Sequence, residues 1–153
     1  MLTTASGSAF TSDDPFQRVV EIRSAAGQPV GPQPARRKVL VVDDQRIIAD
    51  TIREILEGAD FHVMAAYDGC TALEAAGRFH PDYLLSDVLM PRMNGVELAI
   101  AIRKMLPAAK ILLFSGQAGI SEAILEGQRQ GYEFELIPKP IHPLKLIERL
   151  KKQ

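Results

Sequence analysis

A chain of 153 residues, 46% hydrophobic and 24% charged, is long enough to bury a core as one domain without disulfides or a structural metal. Its net charge of -1 argues against a nucleic-acid or anionic-membrane partner held by bulk electrostatics. Cys70, the only cysteine, excludes an intrachain disulfide and a thiolate-rich zinc site, and a reducing cytosol fits best. No apolar run approaches the roughly 18 to 20 residues that span a bilayer, and the N-terminus lacks a basic stretch followed by an apolar one. The chain reads as cytoplasmic.

Residues 1–37 are rich in Ser, Thr, Gly, Ala and Pro, with a Pro-bearing linker at Val30 to Arg37. Such a segment carries too little apolar surface to offset its own ordering and reads as a disordered tail. One patch differs: Ser12-Asp13-Asp14-Pro15 suits the start of a short helix through Phe16, Val19, Val20 and Ile22. The same residues also read as an extended strand.

From Lys38 the pattern alternates between two periods. Lys38 to Val42 predicts a short apolar strand, and Gln45 to Glu57 a helix with Ile48, Ile52, Ile55 and Leu56 on one face, ending at Gly58. Phe61 to Ala66 predicts a second strand; after the Asp68-Gly69 turn, Cys70 to Phe79 predicts a short helix stopped by His80-Pro81. The third strand is Tyr83 to Ser86, followed by a helix over Gly95 to Leu106 that Pro107 ends. Lys110 to Phe114 predicts the fourth strand, Gly119 to Gln130 a weakly patterned helix, Phe134 to Ile137 the fifth strand, and His142 to Lys151 the final helix. Strict alternation with short connections implies an α/β domain over residues 38–153: a parallel sheet, right-handed crossovers and helices on both faces. The strands read as continuous apolar runs, as expected of strands covered on both sides.

Four of these strands end in groups that carry chemistry. Val39 to Val42 runs into Asp43-Asp44, the third strand into Asp87, Ile111 to Phe114 into Ser115-Gly116, and Phe134 to Ile137 through Pro138 into Lys139-Pro140. In an open parallel sheet, ligands bind outside the carboxyl ends of the strands. Taken singly each group is ordinary: Asp43-Asp44 suits a helix cap, Ser115-Gly116 a turn, and Lys139-Pro140 the exit from a strand. Together they place three carboxylates, a hydroxyl and an ammonium on one edge. Carboxylates so gathered repel unless a cation joins them, and hard oxygen ligands suit Mg2+ or Mn2+. A divalent cation, an ammonium and a hydroxyl are the groups that surround a phosphoryl group, and Asp87, alone on the central strand, is the candidate nucleophile.

The stretches VLVVDD, SDVLMPRMNGVEL, LLFSG and IPKP together closely resemble the receiver domain of bacterial two-component response regulators, over about Lys38 to the C-terminus. The resemblance implies a flavodoxin-like, doubly wound, five-stranded sheet of order 2-1-3-4-5. It implies Asp87 as phosphoacceptor, Asp43 and Asp44 as the acidic pair that holds Mg2+, the main-chain carbonyl of Leu89 as a further ligand, and Ser115 and Lys139 as partners of the phosphoryl group. It also implies a cis bond between Lys139 and Pro140. The donor would be a sensor histidine kinase or phosphotransfer protein, and the chemistry self-catalysed transfer followed by autodephosphorylation, not turnover of a separate substrate.

With no domain-sized segment after Lys151, the expectation is a stand-alone receiver acting by docking to an unknown protein target, by phosphorelay or as a phosphorylation-dependent homodimer, without direct nucleic-acid or membrane contact. The alternatives are a receiver-like docking module that is not phosphorylated, a small Mg2+-dependent phosphatase, and a flavodoxin-type cofactor binder. The phosphatase would need a second Asp where Leu89 stands, and the cofactor binder lacks a phosphate loop after the first strand. Two departures from the family pattern stand out. Leu136 occupies a position usually aromatic, with Phe134 or Tyr132 as substitutes, and the segment from Ala118 to Glu133 is unusual. In related receivers the side chains at the positions of Leu89 and Gln117 influence phosphoryl lifetime. His62, His80 and His142 share no metal-binding spacing, and Arg36-Arg37-Lys38 reads as a solvated basic run.

Overall fold

A computed structural model describes residues 35–116 and 121–152. Among them, strands and helices alternate as β1 (Lys38–Val42), α1 (Arg46–Gly58), β2 (His62–Ala66), α2 (Gly69–Phe79), β3 (Tyr83–Asp87), α3 (Gly95–Met105), β4 (Lys110–Ser115), α4 (Glu122–Arg129), β5 (Glu135–Pro138) and α5 (Pro143–Lys151). All pairings are parallel and the sheet order is β2-β1-β3-β4-β5, the doubly wound order. The expectations for the N-terminal tail up to position 34, and for the start of the helix before Ser121, lie outside the described residues.

Successive side chains of a strand point to opposite faces, so each apolar strand feeds two cores. Val39, Val41, Leu85, Leu112 and Phe114 pack under α1 and α5 with Ala49, Ile52, Leu56, Leu146 and Leu150. Leu40, Val42, Leu84 and Leu113 pack on the other side with Ala72, Ala76, Leu98, Ile102 and Ile124 of α2, α3 and α4. All five residues of β3 are buried, which places Asp87 at the carboxyl end of the most enclosed strand.

Side-chain caps start three of the helices. Asp68 accepts from the Thr71 amide at 2.7 Å, Ser121 from that of Ile124 at 3.4 Å, and Asn94 forms a reciprocal capping box with Glu97. Asp43-Asp44 does not cap α1: the N-cap residue is Gln45, with no side-chain cap bond, and Asp43 Oδ1 instead accepts from the Gln45 amide at 2.9 Å. Two strands begin one residue later than their apolar pattern. Phe61 sits ahead of β2, its amide closing α1 through the Leu56 carbonyl at 3.1 Å. Phe134 precedes β5 and packs against the α2/α3/α4 core. The basic run is not merely solvated, since Arg37 donates to Tyr83 Oη at 3.0 Å and to the Leu150 carbonyl at 2.9 Å. No helix among the described residues is long and apolar enough to cross a membrane.

Candidate phosphoryl-acceptor site

Asp43 follows β1 directly and its amide continues the ladder to the Ala66 carbonyl at 3.2 Å, so the carboxylate is drawn inside the sheet edge and is wholly buried. Asp87 ends the neighbouring strand and is 8% exposed, while Asp44 faces solvent. One carboxylate oxygen from each of the three lies within 4.8 Å of the others. From the far side, Lys139 Nζ reaches Asp87 Oδ2 at 3.3 Å and Asp43 Oδ2 at 3.7 Å. Lys139 is steered there by its amide, which donates to the Ser115 carbonyl at 2.9 Å, and the Lys139-Pro140 bond is cis. Ser115 is the buried last residue of β4, and its hydroxyl donates to the Gly116 carbonyl at 3.4 Å. Leu89, two residues past Asp87, is 64% exposed.

The electrostatics of this cluster are unbalanced. Three carboxylates against one ammonium leave two negative charges uncompensated within it. Burial above all pushes the Asp43 carboxyl above its ordinary value; Asp87 and Asp44 push the same way, while the Gln45 amide and Lys139 oppose them. Asp43 Oδ2 is buried without a hydrogen-bond partner among the described residues, a costly state for a carboxylate oxygen. The donor set therefore fits a hard divalent cation: oxygen ligands only, two charges in excess, and one buried carboxylate oxygen that accepts no hydrogen bond and has only Lys139 nearby, at 3.7 Å.

Two concave features lie on the two faces of the sheet, and the first includes a residue of the site. Beside Lys139, the exposed flank of α1 and the start of α5 form an open apolar groove of about 360 Å³, lined by Ile47, Ile48, Ile55, Pro140, Pro143 and Leu146. Ile47 on its rim is 76% exposed. On the opposite face of the sheet, Leu136 pairs in register with Leu113 and borders a cavity of about 260 Å³ between α3, α4 and β5. Phe134 and Tyr132 line the same cavity and stack at 6.0 Å, nearly parallel at 8°, while the Arg103 guanidinium lies 5.4 Å from the Phe134 ring centre. None of the three histidines belongs to the acidic cluster; His62 packs edge-on against Phe79 at 5.1 Å. Cys70 is exposed.

Sequence reasoning missed Ser86. It is completely buried on β3 beside Asp87, and its hydroxyl donates to the Asp87 main-chain carbonyl at 2.9 Å. A polar residue inside an apolar run on the central strand was the available signal.

A doubly wound sheet of this order, with a carboxylate cluster at the ends of β1 and β3, defines the class of CheY-like signalling domains. The model of the response regulator receiver domain matches residues 39–151, and the chain belongs to that family of two-component signalling domains. Chemotaxis protein CheY of Thermotoga maritima is 33% identical over 120 residues, covering 76% of this chain and 96% of that protein. Response regulator MprA of Mycobacterium leprae is 32% identical over 114 residues, 74% of this chain, which spans only 49% of that protein's length. The structure of chemotaxis response regulator CheY4 of Vibrio cholerae superposes with a TM-score of 0.66 at 32% identity, over 77% of this chain and 98% of that one.

Proposed function

We propose that this chain is a phosphorylatable switch that accepts a phosphoryl group on Asp87 from a phosphohistidine of a sensor kinase or phosphotransfer protein. The observation that carries this reading is the convergence on Asp87 of Lys139 at 3.3 Å and of the Asp43 and Asp44 carboxylates within 4.8 Å. Asp43, Asp44, Asp87 and the Leu89 main-chain carbonyl would hold Mg2+, or Mn2+ in its place, which when bound supplies positive charge to the oxygens of the transferring group. An oxygen of Asp87 attacks phosphorus in line, the P–N bond to the donor imidazole breaks, and its electron pair returns to the ring. Lys139 holds the Asp87 carboxylate and balances charge on the arriving group. Later attack by water at phosphorus breaks the new P–O bond and restores the carboxylate, so the chain is an acceptor that resets itself and not an enzyme acting on a separate substrate.

Phosphorylation adds charge and acceptor oxygens where Ser115 ends β4 and Lys139 follows β5, which biases the α4 and β5 side toward its signalling arrangement. The open groove on α1 and α5 supports a helical donor: an apolar helix face laid against Ile47 and Pro140 would bring its histidine to the adjoining acidic edge. Output then passes to a protein target by docking, relay or self-association. Kinase and switch would meet in the cytoplasm, where an exposed single cysteine stays reduced.

Intact-protein mass after incubation with acetyl phosphate and Mg2+ tests the reading. One added phosphoryl group, lost with EDTA and in Asp87→Asn, is the expected result. No gain from acetyl phosphate or from a phosphorylated donor protein, together with no Mg2+ binding by calorimetry, would leave only a docking module that is not phosphorylated.

A further inference from the structure

We propose that Ser86 is a positioning residue for the metal-binding loop, acting through the peptide group that joins Asp87 to Val88. This rests on the reading of the acidic cluster as a Mg2+ site and adds a residue that touches neither the metal nor the phosphoryl group. Ser86 lies between Val42 and Leu113 in the sheet register, both fully buried and apolar, and is itself 0% exposed. A hydroxyl in such a layer is costly unless it is hydrogen-bonded, and Ser86 meets that requirement by donating to the Asp87 carbonyl at 2.9 Å.

That carbonyl is one end of a peptide group held at both ends. Its other end, the Val88 amide, donates to the Phe114 carbonyl at 3.1 Å. Gly95 presses on the same oxygen: a Cβ at that position would lie 2.0 Å from it. One residue on, the Val88 carbonyl accepts from the Gly95 amide at 2.8 Å. The plane from which the chain leaves the strand is thus set by Ser86, Phe114 and Gly95 together. The Leu89 carbonyl, one of the four groups assigned to the metal, follows after a single further residue. With Ser86 as alanine the Asp87 carbonyl loses its side-chain donor, the plane is free to tilt, and the error is carried to Leu89. Direct partners of metal ligands typically change affinity by about 10- to 100-fold, and Ser86, one peptide removed from the Leu89 carbonyl, is expected at the low end of that range.

The experiment is calorimetric titration of Mg2+ into the unphosphorylated chain and into Ser86→Ala and Ser86→Thr, with urea unfolding of each in EDTA. The expected result is a Kd raised about tenfold in Ser86→Ala and returned close to the parent value in Ser86→Thr, which restores the donor. A Ser86→Ala Kd within about twofold of the parent overturns the proposal, even if its stability falls, because a purely structural hydroxyl moves stability alone. A Ser86→Thr that folds as well as the parent but binds as weakly as Ser86→Ala overturns it too. Should Ser86→Ala not fold, the nearly isosteric Ser86→Cys takes its place, with the same limits. Failure of the parent chain to bind Mg2+ at all sinks the metal site and this inference together, an outcome distinct from failure in the variants alone.

Discussion

The two halves of the sheet are built to different tolerances. All five residues of β3 and four of five in β1 are buried, and the loop leaving β3 is pinned by Ser86, Phe114 and Gly95. None of the four residues of β5 is fully buried, α4 has only eight residues, and a cavity of about 260 Å³ lies between them. The tight half holds mutually repelling carboxylates in place; the loose half has room to answer a change in charge. Close-packed regions transmit strain and resist rearrangement, whereas short helices with few buried contacts open at low cost.

Two glycines sharpen this contrast most. A Cβ on Gly95 would meet the Asp87 backbone at 2.0 Å, which no side-chain rotation relieves, whereas one on Gly127 in α4 would meet only Val96 Cγ1 at 2.7 Å. Val96 also lines the cavity, so it has space to move. Gly95→Ala is expected to cost about 3 kcal/mol in urea unfolding. Gly127→Ala is expected to fall within about 1 kcal/mol of the parent, since gained helix propensity offsets the contact. Equal losses at both positions would break the comparison.

A register pair gives a smaller test. Leu113 and Leu136 face each other across β4 and β5, but Leu113 is 0% exposed and Leu136 only partly buried. Leu113→Ala is expected to lose about 3 kcal/mol. Leu136→Ala, at the edge of an existing cavity, is expected to lose about 1 kcal/mol.

Asp43→Asn reverses the sign. Because burial and the neighbouring carboxylates raise the Asp43 pKa in the folded chain, its charged form costs stability at every pH above that folded value. In EDTA at pH 7 the variant is expected to be the more stable of the two, because it removes the buried charge that desolvation and the neighbouring carboxylates disfavour. The gain should fade as pH falls through the folded pKa and be lost below the unfolded value, where both states are protonated. Urea midpoints at pH 7 and about pH 4 check it.

Asp68 shows the opposite linkage and a small effect. Its pKa is lowered by hydrogen bonds from the Thr71 amide and hydroxyl, so its contribution is present above the unfolded pKa and lost as pH falls through the folded one. Asp68→Ala should cost about 1 kcal/mol at pH 7, converging with the parent in acid.

Much of this was legible in one dimension. A strand covered on both faces must be continuously apolar, so the place where the run stops and a charge begins marks the carboxyl edge; that is why Asp43, Asp87, Ser115 and Lys139 stood out. Helix periods and the Asn94-Gly95 turn located α3 at its first residue for the same local reason. Boundaries slipped at Phe61 and Phe134, where an aromatic side chain extends an apolar pattern beyond the backbone pairing. The apparent cap at Asp43-Asp44 failed because the ladder to Ala66 pulls Asp43 inward.

What the amino-acid order determined alone, then, is the alternation of periods and the identity of the groups at the strand ends, because both depend on near neighbours in the chain. Tertiary structure alone decided which buried carboxylate oxygen is left without a hydrogen bond, how closely Gly95 approaches Asp87, and that Ser86 turns its hydroxyl to that same carbonyl. Those are distances of a few ångströms between segments that sequence spacing does not constrain, and they exist only once both core layers have closed on the sheet.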